Sequence, residues 1–176
     1  KVAKMTTKST AITSQSKSKL ANACTKSIIL KFSNSNMFTA GSISFLESAL
    51  TCISLVTRFS VSKNSGIFKK ALTDAKKATL GKRIFVLGNM HTFPIAMYCA
   101  AKIYELLGYD AHFERIEQFT HMELFSIKKG DTVIIFEGKN FHNKKIAKHL
   151  KRIGLNIIHP QIKSKNKILE LLYYVY

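Results

Sequence analysis

Apolar positions recur along the chain with two periods, and each change of period marks an element. Residues 9–13 form a short β-prone run, and in residues 14–23 Leu20 and Ala21 stand among Ser, Gln and Lys, which predicts a short helix with a capping serine. Ile28, Ile29 and Leu30 within residues 27–31 predict a second buried strand. After a polar stretch at 33–36, residues 39–59 place Phe45, Leu46, Ala49, Leu50, Ile53, Leu55 and Val56 at helical spacing, the pattern of a buried helix. Residues 60–66 have linker composition. Helical spacing resumes over 67–79, with Phe68, Ala71, Leu72 and Ala75 on one side, Lys69, Lys70, Lys76 and Lys77 on the other, and Gly81 as the expected C-cap.

From Lys82 the alternation becomes regular. Strands are predicted at 83–87, 111–116, 132–136 and 155–159, and helices at 92–107, 144–153 and 167–176, with a short helix or turn at 119–126. Strands that are apolar along their length and alternate with helices indicate a parallel sheet covered on both faces. Right-handed crossovers then give an α/β fold, a doubly wound three-layer αβα sandwich. Ligands of such sheets sit outside the carboxyl ends of the strands. That rule puts residues 88–93, 114–121 and 137–142 along one rim.

Charge adds a second constraint. Lys and Arg number 28 against 10 Asp and Glu, a formal net charge of +18, the electrostatic footprint of a phosphate-rich partner. Seven of the ten acids fall between Glu105 and Glu137, while the basic residues are spread over several helices and not packed beside aromatics as a stacking groove for single strands requires. A dedicated nucleic-acid role is therefore disfavoured. Cys24, Cys52 and Cys99 are odd in number, widely spaced and set in apolar context, so they predict buried small hydrophobes and no disulfide framework. No apolar run is long enough to span a bilayer and no signal-peptide pattern opens the chain, which is read as cytoplasmic and away from membranes. The six histidines lie apart, predicting no metal site, and Gly88 is followed by Asn89 and Met90 without a further glycine in the turn, predicting no dinucleotide and no other cofactor.

Residues 84–105, IFVLGNMHTFPIAMYCAAKIYE, followed by QFTHMELF at 118–125, resemble the sugar-isomerase (SIS) domain family, a flavodoxin-like group. The likeness is to the second such domain of glutamine–fructose-6-phosphate aminotransferase and to related phosphosugar isomerases. The shared pattern is a strand, a glycine turn, a helix ending in Lys-x-x-Glu, a strand, and a turn ending in histidine; Lys102, Glu105 and His121 occupy those places. Residues 11–14, 18–21, 28–30 and 37–45 resemble the closing half of the family's first domain. The resemblance implies the end of a first SIS domain at 1–62, a connecting helix at 63–80 and a second SIS domain at 81–176. It also implies that the family's serine-rich phosphate loop precedes Lys1 and its C-terminal lysine follows Tyr176, so that the chain is a fragment expected to be inactive alone. The turns at 88–92 and 137–140 lack that serine cluster.

Aldose–ketose interconversion moves a proton between adjacent carbons through an enediol and needs one base on one face. The resemblance implies that Glu105 is this base; an apolar setting beside Leu106 and Leu107 would raise its pKa, whereas pairing with Lys102 would make it a surface acid. It further implies that His121 opens the sugar ring and reaches a neighbouring subunit's site, hence a homodimer. Gly88, Asn89, His91 and Thr92 on the glycine turn, with Lys102, are the candidate substrate-binding residues. Thr13, Ser14 and Ser18 form a hydroxyl-rich turn that suits either an anion or ordinary capping. The expected function is binding of a sugar phosphate and its aldose–ketose isomerisation, with a non-catalytic phosphosugar sensor and a basic nucleic-acid-binding module as rivals.

Overall fold

The structure, a computed structural model, describes residues 8–32, 41–60, 65–137, 140–164 and 166–176. The chain divides into two compact units, Lys1–Ser60 and Val61–Tyr176.

In the first unit β1 (Thr10–Thr13), α1 (Lys19–Ala23) and β2 (Lys26–Ile29) form a β-α-β motif whose strands pair in parallel from Thr10↔Lys26 to Thr13↔Ile29. Ser18 caps α1, its Oγ accepting from the Ala21 N–H at 3.1 Å, and Thr13 Oγ1 accepts from the Gln15 N–H at 3.2 Å. Two hydroxyls of the Thr13–Ser18 turn thus cap backbone donors. The long apolar segment departs from expectation. It forms α2 (Ile43–Ser54), five residues shorter than predicted at its C-terminal end, and none of its residues is buried; Cys52 is exposed with it. Two four-residue strands present too little apolar surface to cover a three-turn helix. Residues 39 and 40, the predicted start, lie outside the described residues.

The second unit holds α3 (Ser65–Ala75), β3 (Arg83–Gly88), α4 (Phe93–Leu107), β4 (Asp110–Arg115), α5 (Ile116–His121), β5 (Thr132–Ile135), α6 (Phe141–Arg152), β6 (Asn156–Ile158) and α7 (Lys167–Val175). Its four strands run parallel in the order β4-β3-β5-β6. Successive side chains leave a strand on opposite faces. Phe85, Leu87, Val133 and Ile135 therefore point one way, into a core with Ile116 and Phe119 of α5 and Leu150 of α6. Ile84, Val86, Ile134 and Phe136 point the other way, where Phe113 meets Phe93 of α4 at 6.0 Å and Phe136 meets Tyr174 of α7 at 4.7 Å. Helices on both faces of a parallel sheet make this unit a three-layer α/β sandwich.

Three local readings are corrected. β4 is an edge strand, and Asp110, His112, Phe113 and Arg115 are exposed, so it is neither apolar throughout nor buried. α3 buries Ala71 as expected, but with Ile67 in place of Phe68 and Leu72, which stay exposed; Tyr173 of α7 bonds its Asp74 at 2.6 Å. Gly81 does not cap α3, which ends at Ala75; a Cβ there would run into the Gly130 carbonyl, so glycine is required by close approach of two loops. Gly108 does act as a cap, with φ 66° and its N–H donating to the Tyr104 carbonyl at 3.0 Å. Among the described residues no helix is long and apolar enough to cross a membrane.

Candidate functional site

Strand order reverses at β3: the chain goes out to β4 on one side and returns to β5 on the other. At such a switch point two neighbouring strand-to-helix turns diverge and leave a crevice at the carboxyl ends of the strands. The turns here start at Gly88 and Glu137. A Cβ on Gly88 would lie 2.5 Å from the Thr92 carbonyl oxygen, so only glycine permits the tight 3-10 turn Met90–Thr92 that begins α4. Thr92 is fully buried, and its Oγ1 accepts from the Asn89 N–H at 2.9 Å. The same hydroxyl lies 2.9 Å from the Asn89 carbonyl and 3.1 Å from Glu137 Oε1, donating to one of them at a time. Asn89 Oδ1 accepts from the Ile116 N–H at 3.2 Å, tying the start of α5 to the same turn. Met90 and Glu137 have φ of 45° and 77°, the two non-glycine residues with positive φ among those described. Both sit on these two turns, where backbone strain often accompanies function.

From the facing helix α7 come groups that sequence reasoning missed. Glu170 is buried, and its Oε1 accepts from the Tyr174 hydroxyl at 3.1 Å while Oε2 takes the Lys167 ammonium at 2.8 Å. Burial pushes its pKa up, but the bonds from Lys167 and Tyr174 outweigh that and hold the carboxyl below its usual range. The Tyr174 hydroxyl also accepts from the Glu137 N–H at 3.3 Å. His91 reaches the same carboxylate, Nε2 to Oε2 at 4.0 Å. The Glu137 carbonyl accepts from Asn143 Nδ2 at 3.4 Å and from His159, whose imidazole is held below its usual pKa chiefly by burial. Asn143 Oδ1 and His159 Nε2 are buried acceptors with no hydrogen-bond partner among the described residues. One polar network thus runs Asn89–Thr92–Glu137–Tyr174–Glu170 across the crevice. The network's two carboxylates are already bonded within it, Glu137 to Thr92 and Glu170 to Tyr174 and Lys167. Glu and Tyr four residues apart in an otherwise apolar helix was the available signal.

The crevice thus gathers Gly88, Asn89, His91 and Thr92, but not the other three candidates. α4 runs back antiparallel to the strands, so Lys102 and Glu105 stand near its C-terminus, at the foot of the sheet. Lys102 Nζ pairs with Glu105 Oε2 at 2.7 Å and lies 5.3 Å from the Tyr98 ring centre. The Glu105 side chain is 49% exposed, so the apolar setting expected around it is not what it meets. His121 ends α5 and is exposed on the opposite face of the sheet. Within one chain Glu105 and His121 share no cleft. Among the described residues no group of three or more His, Cys, Asp or Glu is placed to hold a metal ion. Cys99 is inert, its thiol pushed up to about 12 by burial.

No family model and no curated protein matches the sequence. Solved structures do match. Glucosamine-6-phosphate deaminase from Thermotoga maritima superposes on 94% of the chain with a TM-score of 0.76 and 16% identity. The C-terminal domain of glucosamine-fructose-6-phosphate aminotransferase from Francisella tularensis covers 96% with a TM-score of 0.68 and 16% identity. The chain has the fold of these two proteins. It spans 57% of the length of the first and 62% of the second, so the shared fold is a part of each. Identity at this level establishes architecture and leaves the chemistry to be argued from the residues.

Proposed function

We propose that the chain is part of a sugar-phosphate isomerase or deaminase that works as a homodimer, with Glu105 as the proton-transferring base. The observation that supports this reading most is the match of nearly the whole chain to the fold of two proteins named for glucosamine 6-phosphate and fructose 6-phosphate chemistry. Glu105 takes a proton from C1 of the open-chain ketose; the electron pair of that C–H bond forms the C1–C2 double bond while the C2 carbonyl π pair moves to O2, which takes a proton from water, giving the enediol. O1 then gives its proton to water, the C1 carbonyl forms, and the C1–C2 π pair takes the proton that the same carboxyl returns to C2. Lys102, 2.7 Å away, orients the carboxyl group. His121 assists ring opening from a second copy, because within its own chain it lies on the other face of the sheet from Glu105.

The test is deuterium wash-in at C2 of the hexose 6-phosphate, followed by NMR in the full-length protein. Glu105→Gln should abolish exchange and retain binding, and His121→Gln should slow turnover of the cyclic substrate. Mixing the two inactive variants should restore part of the activity, because each mixed dimer contains one site with both wild-type groups. Unchanged exchange in Glu105→Gln would falsify the assignment. A second reading, a non-catalytic sensor of phosphosugars, is favoured by the exposed Lys102–Glu105 pair; it predicts hexose 6-phosphate binding without any wash-in.

A further inference from the structure

At the amino-terminal ends of β3 and β5, opposite the crevice, two loops line an open cavity of about 520 Å³. One wall is Gly81, Lys82 and Arg83, and the other is Lys128, Lys129, Gly130 and Asp131. The single acid in this lining is already engaged. Asp131 Oδ2 accepts from Arg83 Nη2 at 2.6 Å and from the Lys128 N–H at 2.7 Å, with the Asp131 side chain only 8% exposed. Lys82, Lys128 and Lys129 therefore line one cavity with no free carboxylate in its walls. Asp110 and Glu123 act on Arg83 at a distance and do not line it.

The cavity is built, not a chance gap between mobile side chains. Gly81 packs against the Gly130 carbonyl so closely that no side chain fits, and its N–H donates to Thr132 Oγ1 at 2.7 Å. The Gly130 N–H donates to the Gly154 carbonyl at 3.0 Å, fixing the second loop to the turn before β6. The Lys129 stem lies along Gly154, its Cγ 2.9 Å from where a Cβ would stand. Three lysines lining one space with no free carboxylate in its walls favour an anion there.

We propose that this cavity binds a small phosphorylated ligand, a phosphomonoester or diphosphate of at least two negative charges. Lys82, Lys128 and Lys129 supply charge-assisted hydrogen bonds, and Gly81 and Gly130 let the ligand approach the backbone. Its volume is in the range of small-molecule sites. No aromatic residue lines it, which argues against stacked single-stranded nucleic acid. Glu105 stands at the same end of the sheet, but neither it nor Lys102 lines this cavity, and inorganic pyrophosphate offers no carbon for Glu105 to act on, so the test below reads the site apart from the isomerase reading.

The test titrates inorganic pyrophosphate into the full chain at fixed ionic strength and follows amide chemical shifts. Saturable shifts are expected at Gly81, Lys82, Lys129 and Gly130, with none at Asn89 or Thr92. The double variant Lys82→Gln/Lys129→Gln replaces two exposed side chains and should weaken binding at least about tenfold with an unchanged circular dichroism spectrum. Shifts that never saturate, or a variant that binds like the parent, would overturn the proposal. So would a DNA duplex of about 20 base pairs that binds more tightly than pyrophosphate and loses that binding in the same variant, which would make the surface a nucleic-acid interface.

Discussion

The two ends of the four-stranded sheet are built from the same strands and carry opposite chemistry. At the carboxyl ends, Glu137 and Glu170 are bridged through the Tyr174 hydroxyl, and the turns are strained at Met90 and Glu137. At the amino ends, Lys82, Lys128 and Lys129 surround an open cavity whose one acid is locked to Arg83. The carboxyl end spends its polar groups on one another, while the amino end leaves its lysines available. The difference teaches that the net charge of +18 is not a uniform coat: the crevice where ligands of this fold class usually sit holds two buried or bonded carboxylates, and three lysines gather around an open cavity at the foot.

At the foot, Gly81 should tolerate a side chain far less than Gly108 does. In Gly81→Ala the new Cβ meets the Gly130 carbonyl, and backbone cannot turn aside as a side chain can. Thermal unfolding should show a loss of roughly 3 kcal/mol or more for the Val61–Tyr176 unit. Gly108→Ala is the control: its φ of 66° strains alanine, but nothing lies within 4 Å, and about 1 kcal/mol is expected. Equal losses for the two would mean that the loops at Gly81 and Gly130 are not clamped together.

Next in size is the ion pair that holds the foot loop. Burial pushes the Asp131 carboxyl up, but the bonds from Arg83 and from the Lys128 N–H outweigh it and leave the pKa below its usual value. A carboxyl depressed in the folded state contributes stability that is present above its unfolded pKa of about 4 and lost as pH falls through the folded value. Asp131→Asn should therefore cost about 2 kcal/mol at neutral pH, and urea titrations should show the gap to the parent closing below about pH 4. A gap that persists at pH 2 would mean that packing, not charge, holds the loop.

How much of this was legible depended on whether neighbours decide the outcome. β3 and β5 were readable because ILE-VAL-LEU runs buried on both faces look the same in any context, and Gly108 because a helix end needs a left-handed residue. The solvent-facing side of α3 and the exposure of α2 were not, since both are set by what packs against the helix. The spacing of Lys102, Glu105 and His121 could be read as a motif, but β4 intervenes between α4 and α5, and the reversal of strand order at β3 sends those helices to opposite faces. The foot cavity joins two loops far apart in sequence, and a buried Glu170 in an apolar helix reads as a solubilising charge until Tyr174 and Glu137 are seen beside it.

The smallest expected effect tests whether the crevice is one network. Tyr174→Phe keeps the ring against Phe136 but removes the hydroxyl that bonds both Glu170 Oε1 and the Glu137 N–H. The cost should be about 1 kcal/mol, less than at the foot, because Lys167 still holds Glu170 from the other side. Carbon-detected NMR titration should show the Glu170 pKa move upward, since one of the bonds opposing burial is gone. The amide of Glu137 should exchange faster, while those of Gly81 and Gly130 should not change. A shift reaching the foot would mean that the two ends respond together, and the contrast between an occupied network at the rim and an open cavity at the base would have to be given up.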